Sequence, residues 1–249
     1  MGGNAVADAW MPGVKRIRAH TDGGPLKGGA PRVVWQALGA DPWLISACSA
    51  AQRLDQEGRP PHLVWNPTSG DIIQLIPILR AGCSLGGPER LDDVGGAAPQ
   101  PLPPINTEGR LCVQIGVVAW PSEPFTAGPM NGVEAILGWL DTWRVPRRWP
   151  AGRPAPAMLA RAGTRSRAVW ALGGHYGASQ LPGCEAVGPG NIDIDLLTGP
   201  EVTRCPPVTR QHGETPTATA SRVALETVLA PGIRTDAAAA VPSLADAPH

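Results

Sequence analysis

The chain has 249 residues, 43% of them hydrophobic, and a formal net charge of zero. That length allows one large domain or two small ones around a sizeable core. The neutral balance, without a basic stripe, RNP motif or zinc-finger spacing, argues against nucleic acid as a partner. No run of about 18 apolar residues is present, so no membrane insertion is expected.

Gly 31 and Pro 29 together make up nearly a quarter of the residues, so part of the chain is expected to be loop or tail. Nine Trp stand against one Tyr and one Phe, which gives Trp most of the large-residue packing. The five cysteines are Cys48, Cys83, Cys112, Cys184 and Cys205; none forms CxxC, and no disulfide framework is expected. Cys48 and Cys112 sit in apolar runs and read as small buried hydrophobes. The opening MGGNAVADAWMPGVKR lacks the charged and apolar regions of an export signal. The expected location is therefore cytoplasmic until release or assembly.

Residues 1–30 read as an irregular entry segment. Residues 31–38 (PRVVWQAL) fit a buried central strand. Asp41-Pro42 predicts an N-cap with Pro in the first turn, and Leu44, Ala47, Cys48, Ala51 and Leu54 give the following helix its apolar stripe. Residues 62–66 and 71–76 predict a hairpin around a turn at 67–70. Residues 86–104 read as loop, with Asp92 and Asp93 solvated. Residues 111–119 are apolar on both faces, as in the middle of a covered sheet. Asn131 and Glu134 have capping-box spacing before the stripe Val133, Ile136, Leu137 and Leu140. An Arg/Pro-rich loop is expected at 145–168, a short strand at 168–172, and a last short helix at 192–197 capped by Asn191. Asp193 and Asp195 would diverge on that helix. Beyond residue 201 periodicity is lost, apart from a weak helix at 221–229. The domain layout is thus an irregular segment 1–30, an α/β domain 31–200 and a flexible tail or docking arm 201–249.

Several stretches in order resemble the type-2 N-acetylmuramoyl-L-alanine amidases and peptidoglycan recognition proteins. Residues 31–36 resemble the family's first strand. Residues 61–77 (PHLVWNPTSGDIIQLIP) are similar to its PHxxxxPxxGxIxQxVP hairpin. Residues 106–119 (NTEGRLCVQIGVVA) look like its TNxxGxIQIEVVGxA strand. Residues 170–197 (WALGGHYGASQLPGCEAVGPGNIDIDLL) resemble its W…GGHYGHSQVP…HxDPGxID region. The resemblance implies an amidase-like mixed central sheet flanked by helices. It also implies a zinc held by two His and an Asp or Cys, with a Glu as general base.

At the positions that match those functional residues this chain has Gln36, Gly116, Ala178 and Gly188. None supplies an imidazole, thiolate or carboxylate. The implied catalytic set is therefore empty, and no cofactor is expected. An alternative zinc site would have to be built from His175, Cys184 and His62, with Glu185 nearby. His62 reads as a strand-opening residue held by hydrogen bonds, and His175 as facing away from Ala178. His20, His212 and His249 read as solvated. Groove candidates are Trp35, Gln36, His62, Trp65, Gly116, His175, Ala178 and Cys184. Trp35, Trp65 and Trp120 are weighed as core fillers against groove walls, with the core preferred.

Two functions stand at this level. One is a non-catalytic amidase-fold protein that binds peptidoglycan or muropeptide, or serves as a subunit of a phage or phage-tail-like particle. The other is a zinc amidase with an altered ligand set.

Overall fold

The computed structural model describes residues 7–85, 105–157, 159, 166–184, 186 and 188–199. Its strands are β1 (Lys15–Arg16), β2 (Arg32–Ala37), β3 (Leu63–Trp65), β4 (Ile72–Gln74), β5 (Cys112–Val117) and β6 (Gly174–Gly177). They form one mixed sheet in the order β1–β4–β3–β5–β2–β6. Only β3 and β4 are antiparallel; every other pair is parallel. The α/β class and helix-flanked mixed sheet agree with expectation. The loop at 86–104, the tail from 201, its helix at 221–229, and Cys205, His212 and His249 lie outside the described residues.

β5, held between β3 and β2, is buried along its whole length and mostly apolar, and so tolerates cover on each side. One face carries Val33, Trp35, Leu63, Trp65, Val113, Ile115 and Val117 under the helix α2 (Val133–Thr142). The other face splits in two. Val64 and Ile73 pack under α1 (Ala47–Gln56), while Val34, Cys112, Tyr176 and Ala178 pack with Trp170 and Leu181.

The hairpin forms as predicted, with Leu63 opposite Gln74. Asn66 builds its turn: Oδ1 accepts from the N–H groups of Thr68 and Ser69, and its carbonyl accepts from Gly70. Gly70 has φ +83°, a left-handed conformation that suits glycine.

Local elements depart from expectation in five places. First, residues 7–30 are not merely an entry segment: β1 joins the sheet edge, and buried Met11 donates its N–H to Gln74 Oε1 at 2.6 Å. Second, α1 starts later than Asp41. Ser46 is its N-cap, with Oγ accepting from the Ser49 N–H at 3.0 Å. Asp41 caps a separate turn by accepting from the Trp43 N–H at 2.8 Å. Two good capping residues compete, and the Ser46 start places Ala47, Ala50, Ala51 and Leu54 on the sheet while leaving Leu44 exposed.

Third, α2 begins after Gly132 (φ +85°), without the predicted capping box. Asn131 is used elsewhere: its Nδ2 donates to the Thr68 carbonyl, and its own carbonyl accepts from Trp65 Nε1. Fourth, the expected strand at 168–172 is the helix α3 (Arg167–Ala171), capped by Ser166. The place beside β2 belongs to β6, which Gly173 (φ +74°) and Gly174 (φ +108°) turn into register. Fifth, the last helix is only α4 (Asp195–Thr198), and Asn191 is left-handed at φ 53°. Asp193 and Asp195 do not diverge; both reach Arg153, at 3.3 and 2.8 Å.

Candidate functional site

Gln36, Gly116, Ala178 and Gly188 come together at the carboxyl ends of β2, β5 and β6. Gln36 lies directly opposite Gly116 in the parallel pairing. Trp35 lies opposite Gly177, so the chain entering Ala178 runs alongside Gln36. The Ser179 N–H donates to the Gly188 carbonyl at 3.1 Å and draws that loop to the same place. Sequence positions far apart are therefore one locus, on the sheet face opposite Trp35.

The space for side chains at two of these positions is filled. A Cβ on Gly116 would meet Leu38 Cδ2 at 3.0 Å, and a Cβ on Gly188 would meet Pro121 Cβ at 2.8 Å. Ala178 is packed at 0% exposure among Val34, Tyr176 and Leu181. A zinc ion implied by the resemblance does not fit this donor set: a carboxamide, two hydrogens and a methyl offer no imidazole, thiolate or carboxylate. Placing the residues that the resemblance implies at these positions is expected to strain the fold. Gly116→Glu and Gly188→Asp should each lower stability by about 1–3 kcal/mol, as overpacking does. Urea denaturation of each variant checks this; unchanged midpoints would show that the space is open after all.

The alternative ligands are not gathered. Among the described residues no group of three His, Cys, Asp or Glu could hold a metal ion; Glu185 lies outside them. His62 is fully buried, accepts at Nδ1 from the Gln114 N–H at 3.0 Å, and faces the Arg80 carbonyl with Nε2 at 2.8 Å. That pattern holds the neutral Nε2–H tautomer, and burial pushes its pKa down to about 4. His175 lies on the opposite face from Ala178, where Nδ1 accepts from Trp35 Nε1 at 3.1 Å. Burial first, and the Arg147 charge second, push its pKa down to about 3. Cys184 is buried in the Val34–Tyr176 cluster. His20 is exposed as expected, yet its Nδ1 lies 2.5 Å from buried Asp55 Oδ2. Cys48, Cys83 and Cys112 are free thiols; Cys112 is fully buried, but Cys48 only partly.

Gln180 has a structural task beside the locus. Its Oε1 accepts from Trp149 Nε1 at 2.7 Å and from the Gly177 N–H at 3.0 Å, and its Nε2 donates to the Gly152 carbonyl at 2.8 Å. One amide thus ties the end of β6 to the loop at 149–152.

The groove candidates separate by burial. Trp35 and Trp65 are interior at 0% exposure, as the core assignment expects, and line no groove. Trp120 goes the other way: it is 43% exposed and borders a cleft of about 380 Å³ with Pro42, Trp43, Pro67, Glu123 and Phe125. This cleft opens beyond the carboxyl ends of β2, β3 and β5, the usual ligand position of open α/β sheets. Sequence reasoning missed Trp43 and Glu123. The signal was Asp41-Pro42, read as a helix start when it makes a projecting turn. A second cleft of about 510 Å³ lies by β1 and β4, at the opposite edge of the sheet from the four-position locus.

No family model matches the chain, and no match is found among the curated proteins compared. Several solved structures resemble it at low similarity. The Staphylococcus aureus hydrolase AmiA, solved in complex with its ligand, is 9% identical with a TM-score of 0.41; the match covers 68% of this chain and 66% of that one. The N-acetylmuramoyl-L-alanine amidase endolysin LysCS from Clostridium intestinale URNW is 12% identical with a TM-score of 0.39, covering 76% and 95%. PGRP-Hd from Alvinella pompejana is 11% identical with a TM-score of 0.32, covering 54% and 77%. The chain spans just under two thirds of the AmiA chain. At these values the likenesses carry no argument about activity, which has to come from the residues.

Proposed function

We propose that this chain is a non-catalytic protein of amidase-like fold that holds peptidoglycan at the carboxyl edge of its sheet without cutting it. One observation carries the proposal. The positions matching the family's ligands and base meet at one locus, where Leu38 lies against Gly116 and Pro121 against Gly188. A hydrolase needs a group to polarise the amide carbonyl and a base to activate water. This locus supplies neither, while the cleft beside it stays open.

Purified cell-wall sacculi are the test substrate. Saturable co-sedimentation of the full chain, with no release of stem peptides, is the expected result. Peptide release that is lost in His175→Ala or Cys184→Ala would instead establish an amidase with an altered ligand set. Absence of retention would remove peptidoglycan as the partner and leave assembly with other particle subunits, such as those of a phage or phage-tail-like particle, to be sought by co-purification. Among the described residues no helix is long and apolar enough to cross a membrane.

A further inference from the structure

We propose that the cleft between Trp43 and Trp120 grips the sugar rings of a neutral, N-acetylated glycan strand; the proposal rests on the peptidoglycan reading and assigns recognition to the strand rather than to its peptide stems. The cleft, at about 380 Å³, is within the roughly 300–1,000 Å³ of small-molecule sites. Two indoles reach it from different loops. Trp43 comes from the turn after β2 and is 77% exposed; Trp120 comes from the loop after β5.

These indoles differ from the packing ones. Trp35, Trp65, Trp139, Trp149 and Trp170 each donate Nε1–H to a protein acceptor. The ring N–H groups of Trp43 and Trp120 have no such acceptor among the described residues, so both the ring faces and the donors remain for a ligand. Trp43 is also preorganised: Pro42 precedes it, and its backbone N–H is tied to Asp41 Oδ1 at 2.8 Å. Little loop ordering is then lost on binding.

Charge selects among ligands. Glu123 lines the cleft, and no Lys, Arg or His does. An acidic stem peptide would bring its carboxylates to a carboxylate with no counter-charge. A neutral sugar meets no such penalty. Its C–H faces pack on the indoles, and its hydroxyl and amide groups can donate to Glu123 and exchange hydrogen bonds with Thr68. The rigid proline walls at Pro42, Pro67, Pro124 and Pro129 shape a slot for a flat ring.

The test is titration of the full chain, followed by tryptophan fluorescence and calorimetry, with a tetramer of β-1,4-linked N-acetylglucosamine. A stem peptide, a proline-rich peptide and phosphatidylcholine vesicles serve as rival probes. Saturable binding of the tetramer is expected, weakened about tenfold or more in Trp43→Ala and in Trp120→Ala, as loss of a central aromatic contact does. Urea midpoints close to the parent's would show that the exposed substitutions leave the fold intact. Failure of the tetramer to bind, binding by both variants as tight as the parent's, or preference for a rival probe overturns the proposal. The two readings fail separately. If sacculi retain the parent and the Trp43→Ala/Trp120→Ala protein equally, the cleft assignment falls and the cell-wall reading stands. If the tetramer binds through the two Trp residues but sacculi do not retain the chain, the cell-wall reading falls and the cleft assignment stands.

Discussion

Trp35→Ala should remove about 3–5 kcal/mol of stability, the cost of emptying a large aromatic site in a core. Trp35 is completely buried. Its ring meets Trp65 edge-on, Phe125 at a tilt and His175 in a stack, each with centroids 6.1 Å apart. The substitution also deprives the buried His175 Nδ1 of its donor, an unsatisfied group that costs about 1–3 kcal/mol. A domain of ordinary stability has only about 5–15 kcal/mol in total, so the variant should be close to unfolding. Urea denaturation followed by circular dichroism measures the loss. Trp120→Ala is the control, expected to stay within about 0.5 kcal/mol because that ring is half in solvent. Equal losses in the two variants would contradict the division of indoles into packing and binding roles.

Acidification should destabilise the protein well before its carboxylates are neutralised. His62 and His175 are buried neutral, with folded pKa values of about 4 and about 3 against 6.5 unfolded. Between those limits the unfolded chain binds protons that the native chain refuses. Stability therefore rises with pH across the window and is lost as pH falls below 6.5. The slope is about 1.4 kcal/mol per pH unit for each histidine. By about pH 4.5 each should have cost roughly 3 kcal/mol. The physical block is specific at His62: its Nδ1 already accepts the Gln114 N–H, so a proton there would face another donor. Urea midpoints measured from pH 7 downward should fall, and His62→Gln should flatten the decline even if it lowers stability at neutral pH. A pH-independent midpoint over this range would mean that neither imidazole is held neutral.

The strands β2 and β5 and the hairpin β3–β4 were legible because their signals are local, whereas β1 and β6 were not. Residues 111–119 are apolar at every position but Gln114, and the turn at 67–70 is flanked by Asn66 and closed by Gly70, whose geometry it uses. The stripe of α2 was legible for the same reason: Val133, Ile136, Leu137 and Leu140 share a face at any helix start. Helix ends were not. Asp41, Ser46 and Asn131 are all good N-caps in isolation, and only packing selects among them. Ser46 places the alanines of α1 on Val64 and Ile73, and Asn131 is taken by Trp65 and Thr68. Residues 168–172 have strand-like composition, yet β2 has room for one neighbour on that side, and β6 occupies it.

The chemical content of the site divides in the same way. Gln36, Gly116, Ala178 and Gly188 can be read from the sequence, since the identity of a side chain settles whether it can donate to a metal. That these positions meet, and that Leu38 and Pro121 fill the space, is a property of chain segments brought together over long separations. Burial is partly non-local: Trp35 and Trp65 lie in runs that read as strands and are interior, but nothing in the immediate surroundings of Trp120 says that it borders a cleft. The sequence by itself determined the α/β pattern and which side chains stand at positions 36, 116, 178 and 188, through local periodicity and side-chain chemistry. Tertiary structure alone decided the helix starts, the packing of Leu38 and Pro121 at Gly116 and Gly188, and the open cleft, because each depends on which surfaces compete for the same space.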